Sequence, residues 1–213
     1  VSSDVLVTTP AQRQTEPHAE AVSRNRRQQA TFRKVLAAAM ATLREKSYAD
    51  LTVRLVAARA KVAPATAYTY FSSKNHLIAE VYLDLVRQVP CVTDVNVPMP
   101  IRVTSSLRHL ALVVADEPEI GAACTAALLD GGADPAVRAV RDRIGAEIHR
   151  RITSATGPGA DPGTVFALEM AFFGALVQAG SGTFTYHEIA DRLGYVVGLI
   201  LAGANEPSTG GSE

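Results

Sequence analysis

The run Ala63-Pro64-Ala65-Thr66-Ala67-Tyr68-Thr69-Tyr70 sets small side chains beside hydroxyls, and a cation, Lys74, follows shortly after. Small residues let a backbone approach a partner closely, while tyrosine hydroxyls and an ammonium group can hold phosphate oxygens. That is the chemistry of gripping a polyanion rather than of converting a substrate. The motifs of covalent and phosphate chemistry are missing: the chain has no Gly-x-Ser-x-Gly, no Gly-x-x-x-x-Gly-Lys-Ser/Thr and no His-Glu-x-x-His. Gly157–Thr164 is glycine-rich but has no lysine for phosphates. The histidines are scattered, and Cys91 and Cys124 stand in no metal-type spacing. His149 and Glu169 could meet in a fold, but one pair is weak evidence for catalysis. No enzyme activity, metal site or cofactor is expected.

A scaffold must present that run. Between Arg26 and Leu43, the residues Phe32, Val35, Leu36, Ala39, Met40 and Leu43 recur at three- and four-residue steps. They predict an amphipathic helix with a basic outer face. Ser47–Asp50 breaks it, and Thr52 is a good N-cap for a short second helix through Ala60. Lys61-Val62 makes a tight turn. Pro64 fits the first turn of a third helix ending near Tyr70, because its missing N–H costs nothing there. Ser72-Ser73 then caps a fourth helix, Lys74 to about Gln88, with Leu77, Ile78, Val81, Tyr82 and Leu85 on one face. Three short helices and a longer one describe a helix-turn-helix unit whose recognition helix is Ala63–Tyr70. A single helix of this kind fits the major groove of duplex DNA. Arg54, near the start of the second helix, can reach the DNA backbone or a groove edge.

The charge distribution agrees. The whole chain carries 21 Lys/Arg against 21 Asp/Glu. From Arg24 to Arg87, however, twelve Lys/Arg face four acids, a net of +8, and from Cys91 to Glu213 eight Arg face fourteen acids, a net of −6. A basic head on an acidic body suggests a polyanion-binding module attached to a part with another task.

The stretch from Leu51 to Leu77 resembles the signature of the TetR/AcrR family of bacterial transcriptional regulators. It carries the threonine that opens the second helix (Thr52), the Thr66-x-Tyr68-x-Tyr70-Phe71 core and the following Ser73-Lys74-x-x-Leu77. The resemblance covers about a quarter of the chain once the first helix is included. It implies DNA contacts from Thr52, Arg54, Pro64, Ala65, Thr66, Tyr68, Thr69, Tyr70 and Lys74. Among these, Tyr68 and Lys74 clamp phosphates, while Pro64, Ala65, Thr66 and Thr69 face bases. Phe71 and Val62 are expected to pack the helices together. The family usually has glycine where this chain has Lys61. If the backbone there is left-handed, lysine costs up to about 1 kcal/mol relative to glycine. The base-facing positions lack Arg, Asn and Gln, so selectivity would rest on Arg54, thymine methyl groups and DNA shape.

The expected architecture is all-α, with about nine helices. A disordered tail (1–23) precedes a helix-turn-helix DNA-binding domain (24–73), a ligand-binding and dimerisation domain (74–205) and a flexible tail (206–213). Pro90, Pro98 and Pro100 mark an irregular connection. Further helices are expected over about Arg102–Ala115, Pro118–Leu129, Pro135–Thr156, Gly163–Gln178 and Tyr186–Ala204. The last two are apolar most of the way round and must be buried on several sides.

The resemblance implies that these two helices pair with their twins across a two-fold axis. Ala171, Gly174, Ala175, Tyr195, Val196, Leu199 and Ile200 would form that dimer interface, and their apolar surface exceeds what one small core needs. The middle helices should enclose a small, mainly apolar effector. Its candidate contacts are Leu110, Val114, Cys124, Leu128, Ile144, Ile148, His149, Met170, Phe173 and Val177. The partners expected are double-stranded operator DNA, a second copy of the chain and this effector. No membrane is expected, because the longest apolar runs look shorter than a span. The start lacks signal-peptide character, so a cytoplasmic regulator is expected. Repression relieved by the ligand is the commoner mode in the family. Activation by the same fold stays open, as does a helical ligand-binding protein or enzyme with no operator.

Overall fold

Side chains at the helix starts set most element boundaries. In the computed structural model, which describes residues 12–204 and side chains from residue 25 onward, the chain is all-helical. Its elements are α1 (Gln12–Leu43), α2 (Val53–Arg59), α3 (Pro64–Tyr70), α4 (Lys74–Gln88), α5 (Met99–Leu112), α6 (Pro118–Asp130), α7 (Pro135–Thr156), α8 (Pro162–Gly180) and α9 (Tyr186–Ala204). One short 3-10 turn, Gly131–Ala133, links α6 to α7, and no strand occurs among the described residues.

The caps explain these starts. Thr52 accepts from the Leu55 amide at 3.1 Å to open α2, and Ser73 accepts from the His76 amide at 3.0 Å to open α4. Asp134 and Asp161 cap α7 and α8, each followed by a proline that needs no partner for its nitrogen. At α9, the Thr185 hydroxyl accepts from the Glu188 amide (3.1 Å), while the Glu188 carboxylate accepts from the Thr185 amide (2.7 Å), a reciprocal capping box.

Three expectations change. Residues 1–11 and 205–213 lie outside the described residues, but part of the expected N-terminal tail is helical, since α1 begins at Gln12 rather than Arg26. No apolar period marks Gln12–Arg24. Its Gln, Glu, Ala and Arg residues nonetheless extend a helix at little cost once the following turns are packed. Helix α5 starts at Met99, because Pro100 falls within its first turn instead of breaking the chain. Finally, α8 is 19 residues long with a mean hydropathy of 1.4, long and apolar enough to cross a membrane by length and composition. Only 22% of that stretch is buried, so its apolar surface is largely unmatched within one chain.

Helix α4 joins the two halves. It packs on α1 of the head and on α6 and α7 of the body. Arg151 of α7 is fully buried and locks the far end of α4. Its guanidinium donates to the carbonyls of Val89 (2.9 Å) and Arg87 (3.2 Å) and to the Glu147 carboxylate (2.7 Å). Backbone acceptors that a helix end leaves unmatched are thereby satisfied. Arg102 serves the end of α7 in the same way, donating to the Ala155 carbonyl at 2.8 Å.

Candidate nucleic-acid interface

The head is built around Phe71, which is completely buried. Its ring stacks on Phe32 at 5.1 Å and meets His76 edge-on at 5.9 Å, tying α1, the end of α3 and α4 together. Helix α3 rests on that core through Ala67, its one buried residue, and through the half-buried Tyr70, so its other side chains are free to face outward. Pro64, Ala65, Thr66, Tyr68 and Thr69 are all exposed, Tyr68 by 52%. Thr52 and Arg54 are exposed beside them.

The turn before α3 follows a Schellman pattern. The Val62 amide donates to the Ala57 carbonyl and the Lys61 amide to the Ala58 carbonyl, both at 3.0 Å. This geometry demands a left-handed residue between them, and Lys61 takes it with φ at +53°. Lysine therefore occupies the position where glycine is at home, with its charge exposed next to the recognition helix.

Four of the nine expected contact residues also have work inside the fold: Thr52 caps α2, and the Thr69 hydroxyl donates to the Ala65 carbonyl at 3.1 Å, while Tyr70 and Lys74 pack against neighbouring side chains. Tyr70 is half-buried, with its ring packed edge-on against Phe32 at 6.1 Å. Lys74 donates from Nζ to the Tyr48 carbonyl at 3.0 Å and lies over the Tyr48 ring at 4.3 Å. An ammonium has three donors, so two remain for a phosphate. Arg59 is paired with Glu45 (2.6 Å) and Arg44 with Glu117, whereas Arg54 and Lys61 form no salt bridge among the described residues. Arg54 and Lys61 thus keep unpaired positive charge next to α3.

Residues 35–81, which span α2 and α3 with the end of α1 and the first half of α4, match the model of the bacterial regulatory proteins of the tetR family. Over its 213 residues the chain is 99% identical to HTH-type transcriptional regulators of Mycobacterium bovis and Mycobacterium tuberculosis, covering 100% of each. The chain belongs to the TetR family. Solved structures share its fold. A TetR transcriptional regulator from Rhodococcus sp. RHA1 has a TM-score of 0.69 at 21% identity, covering 85% of this chain and 99% of that one. The regulator FadR from Bacillus subtilis, in complex with stearoyl-CoA, has a TM-score of 0.54 at 12% identity, covering 78% and 97%. The multidrug binding protein EbrR, complexed with proflavin, has a TM-score of 0.53 at 19% identity, covering 80% and 99%.

In the body of this TetR-family regulator lies an apolar cavity of about 300 Å³. Of the residues expected to meet a ligand, Cys124, Leu128, Ile144, Phe173 and Val177 line it. The other five lie elsewhere. Leu110, Val114 and Ile148 are buried in the packed core. His149 is at the surface, 2.7 Å from Glu169, and Met170 is half-exposed in a groove between α8 and α9. Helical period identifies apolar faces but not which face borders a gap. Tyr82, Gly121, Thr125, Leu129, Arg141, Leu176 and Tyr186 complete the wall. The hydroxyl of Tyr82, on an otherwise apolar face of α4, was the available sequence signal. Burial pushes the Cys124 thiol up to about 12, and it raises the Tyr82 and Tyr186 hydroxyls as well.

The α8–α9 groove is lined by Ala171, Gly174, Ala175, Tyr195 and Val196 among others, and Leu199 stands exposed on the same helix as Tyr195. Ile200 is half-buried. Phe166, Met170, Tyr195 and Leu199 are large apolar side chains exposed by 61, 50, 72 and 57%.

Proposed function

We propose that this regulator is a homodimeric repressor that holds a two-fold-symmetric operator and releases it when a small hydrophobic molecule fills the body cavity. Helix α4 carries this reading. It bears Lys74 at its first turn and Tyr82 in the cavity wall, eight positions or about 12 Å further along. A ligand that prefers one placement of α4 therefore shifts the position of the head.

Contacts at the start of α4 make it a stiff lever. Ser73 donates to the Asp134 carboxylate at 2.9 Å, joining the cap of α4 to that of α7. Burial alone would push the Glu80 carboxyl up, but hydrogen bonds with His76 and Arg143 hold it below its ordinary range. In the DNA-bound state, Pro64, Ala65, Thr66 and Thr69 meet base edges. Thr52, Tyr68 and Lys74 hold phosphates, and Arg54 reads a groove edge. Tyr70 positions α3 through Phe32 and offers its hydroxyl to the backbone. The exposed apolar side chains of α8 and α9 favour pairing with a second copy, which brings two recognition helices to half-sites about 34–36 Å apart. Two proteins of this fold, the regulator FadR and the multidrug binding protein EbrR, hold stearoyl-CoA and proflavin, and those complexes support a ligand role for the cavity. The acidic body and basic head favour the expected orientation on DNA, and the same features fit a cytoplasmic protein.

Footprinting on the DNA upstream of the gene tests the proposal. Protection of two symmetric half-sites, lost on adding an apolar cavity ligand, is the expected result. Protection of one half-site alone contradicts the dimer. Protection that no apolar ligand alters contradicts the release mechanism.

A further inference from the structure

Helix α1 carries a face that the head and the body leave unused. Its C-terminal end is tied to the body, since Arg44, the residue after it, pairs with Glu117. About 18 Å back along the helix, Phe32 reaches the head core by stacking on Phe71. Beyond Phe32, on the side away from the body, α1 continues for about 30 Å to Gln12. Residues 25–30 are exposed on every side of the helix, so these turns bury nothing against the chain.

The cations of this region form one stripe. At 3.6 residues per turn, Arg26, Arg27, Arg33 and Lys34 fall within about 120° of one another, opposite the packed face of Phe32, Val35, Leu36 and Ala39. All four are exposed, and the exposed Ala30 lies between the two pairs, which stand about 10 Å apart along the helix. Between Glu20 and Glu45 the sequence has six Lys/Arg and no acid. None of the four forms a salt bridge among the described residues, whereas seven other arginines do. A helix with like charges and no packed face has little of its own to offset their repulsion. A polyanion would offset it.

We propose that the outer face of α1 is a second DNA-contact surface, which holds phosphates of the duplex flanking the half-site met by α3. This rests on the operator reading and extends it beyond the nine residues already assigned to DNA. Charge and position both select duplex DNA as the partner. The packed face of the same helix meets Tyr70, at the end of α3, through Phe32, so the stripe continues the reading head. Arginine and lysine side chains on phosphates position a protein without reading sequence. The surface therefore adds affinity that salt weakens, and it adds no base preference.

Titrations of the full-length protein test this with two labelled duplexes, the upstream fragment and a scrambled one of equal length, from about 50 to about 200 mM salt. With Arg26→Ala and Arg27→Ala together, both duplexes should bind about tenfold more weakly, their affinity ratio staying within about twofold. The slope of log affinity against log salt should flatten by about 0.9 per lost contact, about 1.8 per protomer. Alanine is the best helix former, so this variant should keep α1 and melt like wild type. Arg26→Lys with Arg27→Lys should hold the wild-type slope, because an ammonium also grips phosphate. An unchanged slope in the alanine variant overturns the inference and leaves α3 standing as the reader. Weakening confined to the upstream fragment overturns it too, because the arginines would then read bases. So does a lysine variant as weak as the alanine one, since charge would not be what acts. Equal, weak wild-type binding to both duplexes is the separate failure of the operator reading. The slope of the alanine variant still decides the role of α1 in that case.

Discussion

The head and the body of this regulator solve opposite problems with the same kind of helix. In the head, a small core centred on Phe71 holds a short helix by one buried alanine, which leaves nearly every other side chain of α3 outside. In the body, long helices carry more apolar surface than one chain can cover, so α8 and α9 keep Phe166, Met170, Tyr195 and Leu199 exposed. The head presents polarity and charge; the body presents apolar surface and encloses an apolar gap. The difference teaches where specificity resides. The exposed face of the head suits a polar partner, while the faces of the body suit a second copy and a hydrocarbon-like ligand.

Changes that exchange these two characters should have the largest effects. Phe71→Ala removes the centre of the head core and should cost about 3–5 kcal/mol by urea denaturation. Near-native stability in that variant would show that the head does not depend on this core. Next in size, Tyr195→Arg with Leu199→Arg places charge on the proposed pairing face. Sedimentation should then show a monomer, with operator affinity roughly a hundredfold weaker through lost bivalency. A variant that stays dimeric would place the interface elsewhere.

Acid should weaken the junction between the halves before it disturbs the reading face. Hydrogen bonds from Arg150 and Arg151 hold the Glu147 carboxyl at about 2, below its ordinary 4.5. A carboxyl depressed in the folded state contributes stability above the unfolded pKa and loses it as pH falls through the folded one. Urea midpoints should therefore drop between about pH 4.5 and pH 2, and Glu147→Gln should flatten part of that decline. An unchanged acid limb in the variant would remove Glu147 from this role. The smallest effect belongs to the turn before α3. Lys61→Gly relieves a left-handed lysine and should stabilise the head by up to about 1 kcal/mol. The same change should weaken DNA binding slightly and reduce its salt dependence, since one cation beside the recognition helix is lost. A loss of stability instead would mean that the lysine side chain packs more than its backbone suffers.

Legibility in the sequence divides along the same line. The starts of α2, α3, α4, α7 and α8 could be read because a threonine, serine, aspartate or proline marks each one. The unit from Thr52 to Lys74 could be read residue by residue, since its side chains act locally and its turn geometry leaves a mark at Lys61. The start of α1 could not, because Gln12–Arg24 forms helix without an apolar stripe. Nor could α5, whose Pro100 reads as a breaker until the first turn is seen to hold it. The cavity was legible only in part. Ile144 and Ile148 lie one turn apart on α7 and look equivalent in sequence, yet one lines the gap and the other is sealed in the core. Which apolar residue borders empty space depends on how three or four helices meet, and no single helix records that. Tyr70 and Lys74 show the converse, since a side chain suited to phosphate can also be used within the fold.

The most direct test of the central claim is a titration of a labelled fragment of the upstream DNA at two salt concentrations. Wild type would be compared with an Arg54→Ala, Tyr68→Phe double variant. Both side chains are exposed, so the variant should melt like wild type. The account predicts saturable wild-type binding that weakens steeply with salt, and a loss of about tenfold or more in the variant. Equal, weak binding of both proteins to any sequence would contradict it.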